Sequence, residues 1–377
     1  METGKFTCGI CNGRISVDFE MCGDTIECPH CSNMIMVPLT GIKAGMSVDK
    51  YHLKKRLGMG AMGEVWLAVE PASGRHVAIK ILSPTLTRNA MFVQRFQREV
   101  ALAAQMIHPN IITTFDGGVD RGIYFLVTNY IDGENIDQIL RRDGKFSEDE
   151  TLAIALLMAE ALNYAFERHH VIHRDIKPSN MMIDRNGTAL LMDLGVSRRI
   201  EESDGAITSP GQYVGTPYYM SPEQARAEPT IGPASDIYSL GCSLYHMLSG
   251  RVPFPAESNV EILSKHLNEQ AVPLRRHAPE ISPVCEKLVA RMMAKKPEER
   301  PQSWNELIAD ISGILAASEE KSSASAAPET ANATTAETEV MEDRDEPGFW
   351  EENWTYLSAG ALFAVLLMLL LWIVRNI

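Results

Sequence analysis

The stretch His173-Arg174-Asp175-Ile176-Lys177-Pro178-Ser179-Asn180, followed by Asp193-Leu194-Gly195, constrains this chain more than any other. It gathers two carboxylates, an amide, a lysine and an arginine into twenty-odd residues. Between them, residues 181–184 and 189–192 read as two short strands around an Asn186-Gly187 turn. Such a hairpin brings Asn180 and Asp193 together. An amide oxygen beside a carboxylate makes a hard, oxygen-rich site suited to Mg²⁺ shared with phosphate oxygens. Asp175, just upstream, is free to accept or orient a hydroxyl proton.

A second cluster lies nearer the N-terminus. Leu57 leads into Gly58-Met59-Gly60-Ala61-Met62-Gly63-Glu64-Val65, a glycine-rich turn whose N–H groups can approach phosphates without Cβ clashes. Alone, G-x-G-x-x-G is a weak signal. Here a strand follows it (65–69) and not a helix, which separates it from a dinucleotide-binding turn. Val77-Ala78-Ile79-Lys80 reads as a further strand ending in a lysine. Residues 92–101 have helical periodicity, with Phe92, Phe96 and Val100 on one face and Glu99 near the end.

These stretches, in this order, resemble the protein kinase family: His-Arg-Asp, four residues, Asn, then Asp-Leu-Gly where the family has Asp-Phe-Gly. Leu194 keeps an apolar side chain there. Lys80 lies seventeen residues after Gly63, where a kinase places the lysine that holds the ATP phosphates. The resemblance covers about residues 51–316, with Gly215-Thr216-Pro217-Tyr218-Tyr219-Met220-Ser221-Pro222-Glu223 closing an activation segment. The relatives that these motifs suggest are bacterial, eukaryotic-like serine/threonine kinases. Lys177, two residues after Asp175, is the Ser/Thr-type choice.

The resemblance implies the following roles. Asp175 orients the substrate hydroxyl and Lys177 steadies the transferred phosphoryl group. Lys80 pairs with Glu99. Asn180 and Asp193 hold Mg²⁺ or Mn²⁺. The ATP cleft comprises Leu57, Gly58, Met59, Gly60, Gly63, Val65, Ala78, Lys80, Thr128 as gatekeeper, Asn129 and Ile131 in the hinge, and Met182. Thr216 helps seat the substrate hydroxyl. Arg174 implies control by loop phosphorylation, with Thr208 and Ser209 as candidate sites; the alternative is that these two are only polar loop residues. Protein substrates and a dimer through the kinase domain are the expected partners. His173 is expected to orient the loop, Asp236 to hold its backbone, and Arg300 to pair with Glu223.

Seven cysteines are present, five of them within the first 31 residues. Cys8-Gly9-Ile10-Cys11 and Cys28-Pro29-His30-Cys31 are Cys-x-x-Cys pairs separated by sixteen residues, and they resemble a small zinc ribbon. Four thiolates leave no open position, so the Zn²⁺ would be structural. About 35 residues bury too little core alone, and the metal would stabilise the fold. A disordered leader or a redox pair are the other readings. Cys22 has no assigned role, and His30 is a spare ligand.

The implied class is α+β, a bilobal kinase fold with a β-rich small lobe and a helical large lobe. Its expected parts are a zinc ribbon (1–38), a linker (39–50), the kinase domain (51–316, with a last helix over 303–316), a disordered acidic linker (317–354) and a transmembrane helix (355–375). The eighteen residues 357–374 carry no charge, and Trp350, Trp354, Tyr356 and Trp372 bracket them. Acidic residues before and Arg375 after this segment would place the C-terminus inside. ATP, reduced cysteines and the lack of an N-terminal signal instead place the kinase domain in the cytoplasm of a single-pass membrane protein.

Two other functions compete. A pseudokinase scaffold is opposed by the filled catalytic positions. A nucleic-acid binder is opposed by the net charge of −14 and by the few basic or aromatic residues in 1–40.

Overall fold

The computed structural model describes residues 3–8, 10–18, 21, 25–37, 42–60, 62–87, 89–193, 217–229 and 231–325. The N-terminal unit is two hairpins, β1 (Thr3–Thr7) with β2 (Arg14–Asp18) and β3 (Thr25–Glu27) with β4 (Met34–Met36). Each turn carries one cysteine pair and follows the same pattern. Cys8 N–H donates to Gly13 O (2.9 Å) and Cys28 N–H to Asn33 O (2.8 Å). Asn12 and Ser32, each four residues after its first cysteine, adopt φ of 59° and 56°. Ile15, Val17 and Val37 are buried with Cys8 and Cys28 in a small core.

The small lobe is a six-stranded antiparallel sheet in the order β5-β6-β7-β8-β10-β9, comprising Ser47–Val48, Tyr51–Gly60, Gly63–Glu70, Arg75–Leu82, Ile123–Asn129 and Thr114–Asp120. Alternation sorts its two faces. Trp66 lies opposite Ile79 and Ala68 opposite Val77; these residues bury with Tyr51, Leu53 and Phe125. Helix α1 (Pro84–Thr87) leads to α2 (Ala90–Ala103), whose Phe92 and Phe96 pack against Leu82 and Leu126. Asn89 caps α2, accepting from Met91 N–H and Phe92 N–H.

The stretch expected to be a linker is in part a piece of this lobe. Residues 42–50 are laid along the sheet edge, with Val48 fully buried and Ser47 opposite His52. Asp49 N–H donates to Asp120 Oδ2 (2.8 Å), Arg121 Nη2 to Ser47 O (2.7 Å), and Lys50 Nζ lies 3.1 Å from Asp116 Oδ2. A two-residue strand is too short to show periodicity, which hides it in the sequence.

A small sheet, β11 (Gly133–Asn135), β12 (Met181–Asp184) and β13 (Ala189–Leu191), fronts the large lobe. Behind it lie α3 (Ile136–Asp143), α4 (Glu148–His169), α5 (Pro222–Ala225), α6 (Pro233–Ser249), α7 (Asn259–Asn268), α8 (Pro283–Met292) and α9 (Trp304–Ser325). Ser147 and Glu150 form a capping box that starts α4. Leu152, Ala155, Met158 and Leu162 of α4 bury against Ile237, Leu240 and Leu244 of α6 and Leu307 and Ile311 of α9.

Helix α9 runs nine residues past its predicted end at 316. Ala, Glu and Lys there propagate a helix already nucleated by packing on α4, and Ser318 Oγ donates to Asp149 Oδ1 (3.0 Å). Among the described residues no helix is long and apolar enough to cross a membrane; the segment 355–375 lies outside them.

Candidate active site

The predicted loop folds around a buried carboxylate. Asp236, near the start of α6, is 2 % exposed and accepts from His173 N–H and Arg174 N–H, both at 2.7 Å. Burial pushes its carboxyl above the usual range, opposed by His173 and these two N–H groups. The grip holds Arg174 in a left-handed conformation (φ 65°) that costs a non-glycine residue roughly 1 kcal/mol.

His173 itself is buried and fully engaged. Its Nδ1 accepts from Asp175 N–H (3.3 Å), and its Nε2 donates to Met192 O (2.9 Å). With both nitrogens occupied it orients the loop and is not placed as a base. Gln224 of α5 adds a bond from Nε2 to Arg174 O (2.8 Å), tying the loop to the turn at 217–221.

Asp175 then faces two donors. Lys177 Nζ lies 2.8 Å from Asp175 Oδ2, and Asn180 Nδ2 donates to Asp175 O (2.9 Å) and Oδ2 (3.1 Å). These bonds use the amide nitrogen of Asn180 and leave Oδ1 as the atom a hard cation would take. The predicted hairpin is present: Met182 pairs with Leu190, and Asp184 Oδ1 accepts from Asn186 N–H and Thr188 N–H. Met192 N–H donates to Asn180 O (2.9 Å), so Asp193 follows directly from the residue bonded to Asn180.

Asp193, also left-handed (φ 52°), receives Lys80 Nζ at 3.0 Å. Burial raises its carboxyl, and the Lys80 ammonium more than offsets this, holding it below the usual range. Glu99, the expected partner of Lys80, lies in α2, but its side chain is outside the described residues. Thr208, Ser209 and Thr216 also lie outside them.

Above these groups is a cleft of about 380 Å³. Strand register explains its roof. Val65 lies opposite Lys80, Ala78 opposite Thr128, and Lys80 opposite Leu126, so all five share the face turned from the lobe core. Leu57, Gly58, Asn129, Ile131 and Met182 of the predicted lining are also present, and the expected metal ligand Asp193 lies beside them.

Met59, Gly60 and Gly63 do not line the cleft and instead form the tip of the β6–β7 hairpin. Gly63 has φ +137°, and a Cβ there would fall 1.9 Å from Ile81 O, so this glycine serves the close approach of β7 to β8. Leu126, Ile112, Gln138 and Met192 line the cleft without having been singled out in the sequence. Only Leu126 could have been found, by its alternation with Thr128. Asn129 Oδ1 is a buried oxygen with no hydrogen-bond partner among the described residues, which a bound molecule or water would satisfy.

In the N-terminal unit the four thiols converge. Cys8 and Cys31 Sγ are 3.9 Å apart, Cys11 and Cys28 Sγ 3.8 Å, and all four ligand atoms lie within 4.8 Å of one another. A tetrahedron of sulfurs at Zn–S distances of about 2.3 Å has edges of ~3.8 Å, so the set fits Zn²⁺. His30 is not part of it: the ring packs on Gly13 and its Nε2 lies 2.9 Å from Arg14 O. Cys22 lies outside the described residues.

A buried ion pair supports the large lobe from below. Arg300 Nη1 and Nη2 bind Glu223 Oε1 and Oε2 at 2.7 and 3.0 Å, as the sequence predicts. Burial raises the Glu223 carboxyl, but Arg300 and Ser235 bring it below the usual range.

Comparison with known proteins agrees with this architecture. The family model described as protein kinase domain matches residues 51–310. The serine/threonine-protein kinase PknB of Mycolicibacterium smegmatis is 37% identical over 267 residues, which span 70% of this chain and 42% of that protein. A probable serine/threonine-protein kinase of Streptomyces coelicolor is 37% identical over 270 residues, 71% of this chain and 40% of its own length. The chain thus spans about two fifths of the length of these curated relatives. The crystal structure of the PknI kinase domain of Mycobacterium tuberculosis superposes with a TM-score of 0.59 at 26% identity, covering 73% of this chain and 99% of that one. With its two lobes, its cleft and its Asp175–Asn180–Asp193 cluster, the chain belongs to the protein kinase family.

Proposed function

We propose that this chain is a membrane-tethered protein kinase that transfers the γ-phosphoryl group of ATP to serine and threonine hydroxyls of proteins. The observation that carries the reading is a linked cluster: Lys80 and Asp193 pair at the cleft, and Asp175, Lys177 and Asn180 bond to one another and join Asp193 through the Met192 N–H bond to Asn180 O. Asn180 Oδ1 and Asp193 would hold Mg²⁺ or Mn²⁺, which when bound offsets phosphate charge. Lys80 binds the phosphates, and Val65, Ala78 and Met182 sandwich the base. Asp175 orients the incoming hydroxyl, and Lys177 stabilises the transferred group. Catalysis of this kind rests on positioning and electrostatics. Lys177 and the names of the relatives favour Ser/Thr over Tyr.

Three further parts complete the proposal. The four-cysteine unit binds a structural Zn²⁺, supported by its sulfur spacing. Phosphorylation at Thr208 or Ser209 controls the activation segment, supported by Arg174 beside Asp175. The uncharged run 357–374 anchors the chain in the membrane with the kinase domain on the cytoplasmic side.

The test is phosphate transfer from ATP to otherwise identical Ser, Thr and Tyr peptides, with membrane fractionation of the full chain and of a chain ending at 354. Transfer to Ser and Thr, and release from membranes on truncation, are expected. Transfer to Tyr alone, or unchanged fractionation, overturns the corresponding part.

A further inference from the structure

Beyond the catalytic cluster, the large lobe holds a buried chain of hydrogen bonds that no catalytic role uses. It begins at Lys295, in the loop after α8. Lys295 Nζ donates to His266 O (2.8 Å), Lys265 O (3.3 Å) and Tyr238 OH (3.4 Å), and sits 4.2 Å from the centre of the Phe254 ring. An ammonium has three N–H bonds, and all three have acceptors here.

Tyr238 OH accepts from Lys295, so its own proton points to His266 Nδ1, 2.9 Å away. Nδ1 is therefore the acceptor nitrogen and Nε2 carries the hydrogen. That N–H meets the carbonyl of Tyr218 at 3.1 Å. His266 is wholly buried on α7, edge-on to Phe254 with ring centres 4.7 Å apart. Burial and the adjacent Lys295 charge push its imidazole down to about 3, so it stays neutral and keeps this one tautomer at physiological pH.

Tyr218 lies in the turn between the described end of the activation segment and α5. The same turn is bonded to the catalytic loop through Gln224 and Arg174 O. Its neighbour Tyr219 is held separately, its OH 2.8 Å from His246 Nδ1. The Tyr218 carbonyl is thus fixed from α7, and the neighbouring Tyr219 hydroxyl from α6.

We propose that His266 is a positioning residue for the protein substrate: its Nε2–H fixes the Tyr218 carbonyl and so sets the backbone beside which the substrate hydroxyl is seated. This rests on the reading of Thr216, two residues before Tyr218 in the chain, as part of the substrate seat. Tyr238 acts one step further back, by holding the His266 tautomer. Neither touches ATP or the transferring phosphoryl group.

The test is steady-state kinetics of the full chain with Mg²⁺-ATP and a synthetic peptide of residues 204–213, which contains Thr208 and Ser209. His266→Leu is expected to raise the peptide KM about five- to tenfold, the weight of one lost hydrogen bond, with kcat and the ATP KM within twofold. His266→Gln, whose amide restores a donor, should recover most of that loss. Tyr238→Phe should shift the peptide KM in the same direction by less, and it keeps the test open if His266→Leu fails to fold. An unchanged peptide KM in His266→Leu and Tyr238→Phe, or equal rises in the ATP and peptide KM values, overturns the proposal. Thr216→Ala reports on the seat itself. If Thr216→Ala raises the peptide KM and the His266 variants do not, only the positioning role fails; if all are silent, the seat reading fails with it.

Discussion

Lys80 Nζ and Asp193 Oδ2 are 3.0 Å apart, joining the end of β8 in the small lobe to the residue after the β12–β13 hairpin in the large lobe. The pair spans the floor of the cleft and sets the distance across which phosphates and a cation would be held. Replacing Lys80 by Met removes a preorganised positive charge from that floor. The expected loss in kcat/KM is on the order of 10²–10³-fold, measured by phosphate transfer to a peptide. Folding should change little, since the lysine is partly exposed, and circular dichroism checks this.

The Glu223–Arg300 pair makes a different prediction, about stability. Both side chains are almost wholly buried, so Glu223→Gln or Arg300→Met leaves one uncompensated group. A cost of about 3–5 kcal/mol is expected from urea denaturation. The sign with pH follows from the lowered Glu223 carboxyl. Its contribution is full above the unfolded carboxylate range, about pH 4–5, and is lost as pH falls through the lower folded value. Arg300→Met should therefore flatten the acid limb of stability against pH.

The strap at 42–50 predicts that the kinase domain starts before Tyr51. Val48 is fully buried, so a chain starting at 51 loses a core side chain. Val48→Ala in the full chain should cost about 2 kcal/mol through lost burial and a small cavity. A chain beginning at 51 should melt below one beginning at 42. Equal melting temperatures would show that the strap adds nothing.

Much of the site was legible because its chemistry is local. Asn186-Gly187 announces the hairpin that places Asn180 near Asp193, and the alternation of 77–80 gives the face of Lys80. The unread parts depend on pairings distant in sequence. Nothing local to Lys80 indicates a bond to Asp193, 113 residues away. Ile112 and Gln138 reach the cleft only through packing of their lobes. The strap was hidden because glycines at 41 and 45 look like a linker, while Ile42, Met46 and Val48 follow no long period and pack on a core that lies on other strands. The end of α9 was missed because Ala- and Ser-rich composition was read as a linker, although a helix already packed on α4 extends through alanines and glutamates at little cost.

The cysteine unit predicts a metal count. The full chain should carry one Zn²⁺, and Cys11→Ser or Cys28→Ser should carry almost none, by elemental analysis. A strong chelator should abolish the order of the two N-terminal hairpins while the unfolding transition of the kinase domain persists, because so small a core would depend on the ion. Zinc-free wild type with an ordered N-terminal unit would contradict this.

The central claim is that Asp175 and its neighbours transfer phosphate. Intact-mass and peptide mass spectrometry of the full chain after incubation with Mg²⁺ and ATP, beside Asp175→Asn, tests it most directly. Added phosphate on the wild type alone, at Thr208 or Ser209, is the result expected. No added phosphate on wild type, with no transfer to Ser or Thr peptides, would contradict the account, as would equal phosphorylation of Asp175→Asn.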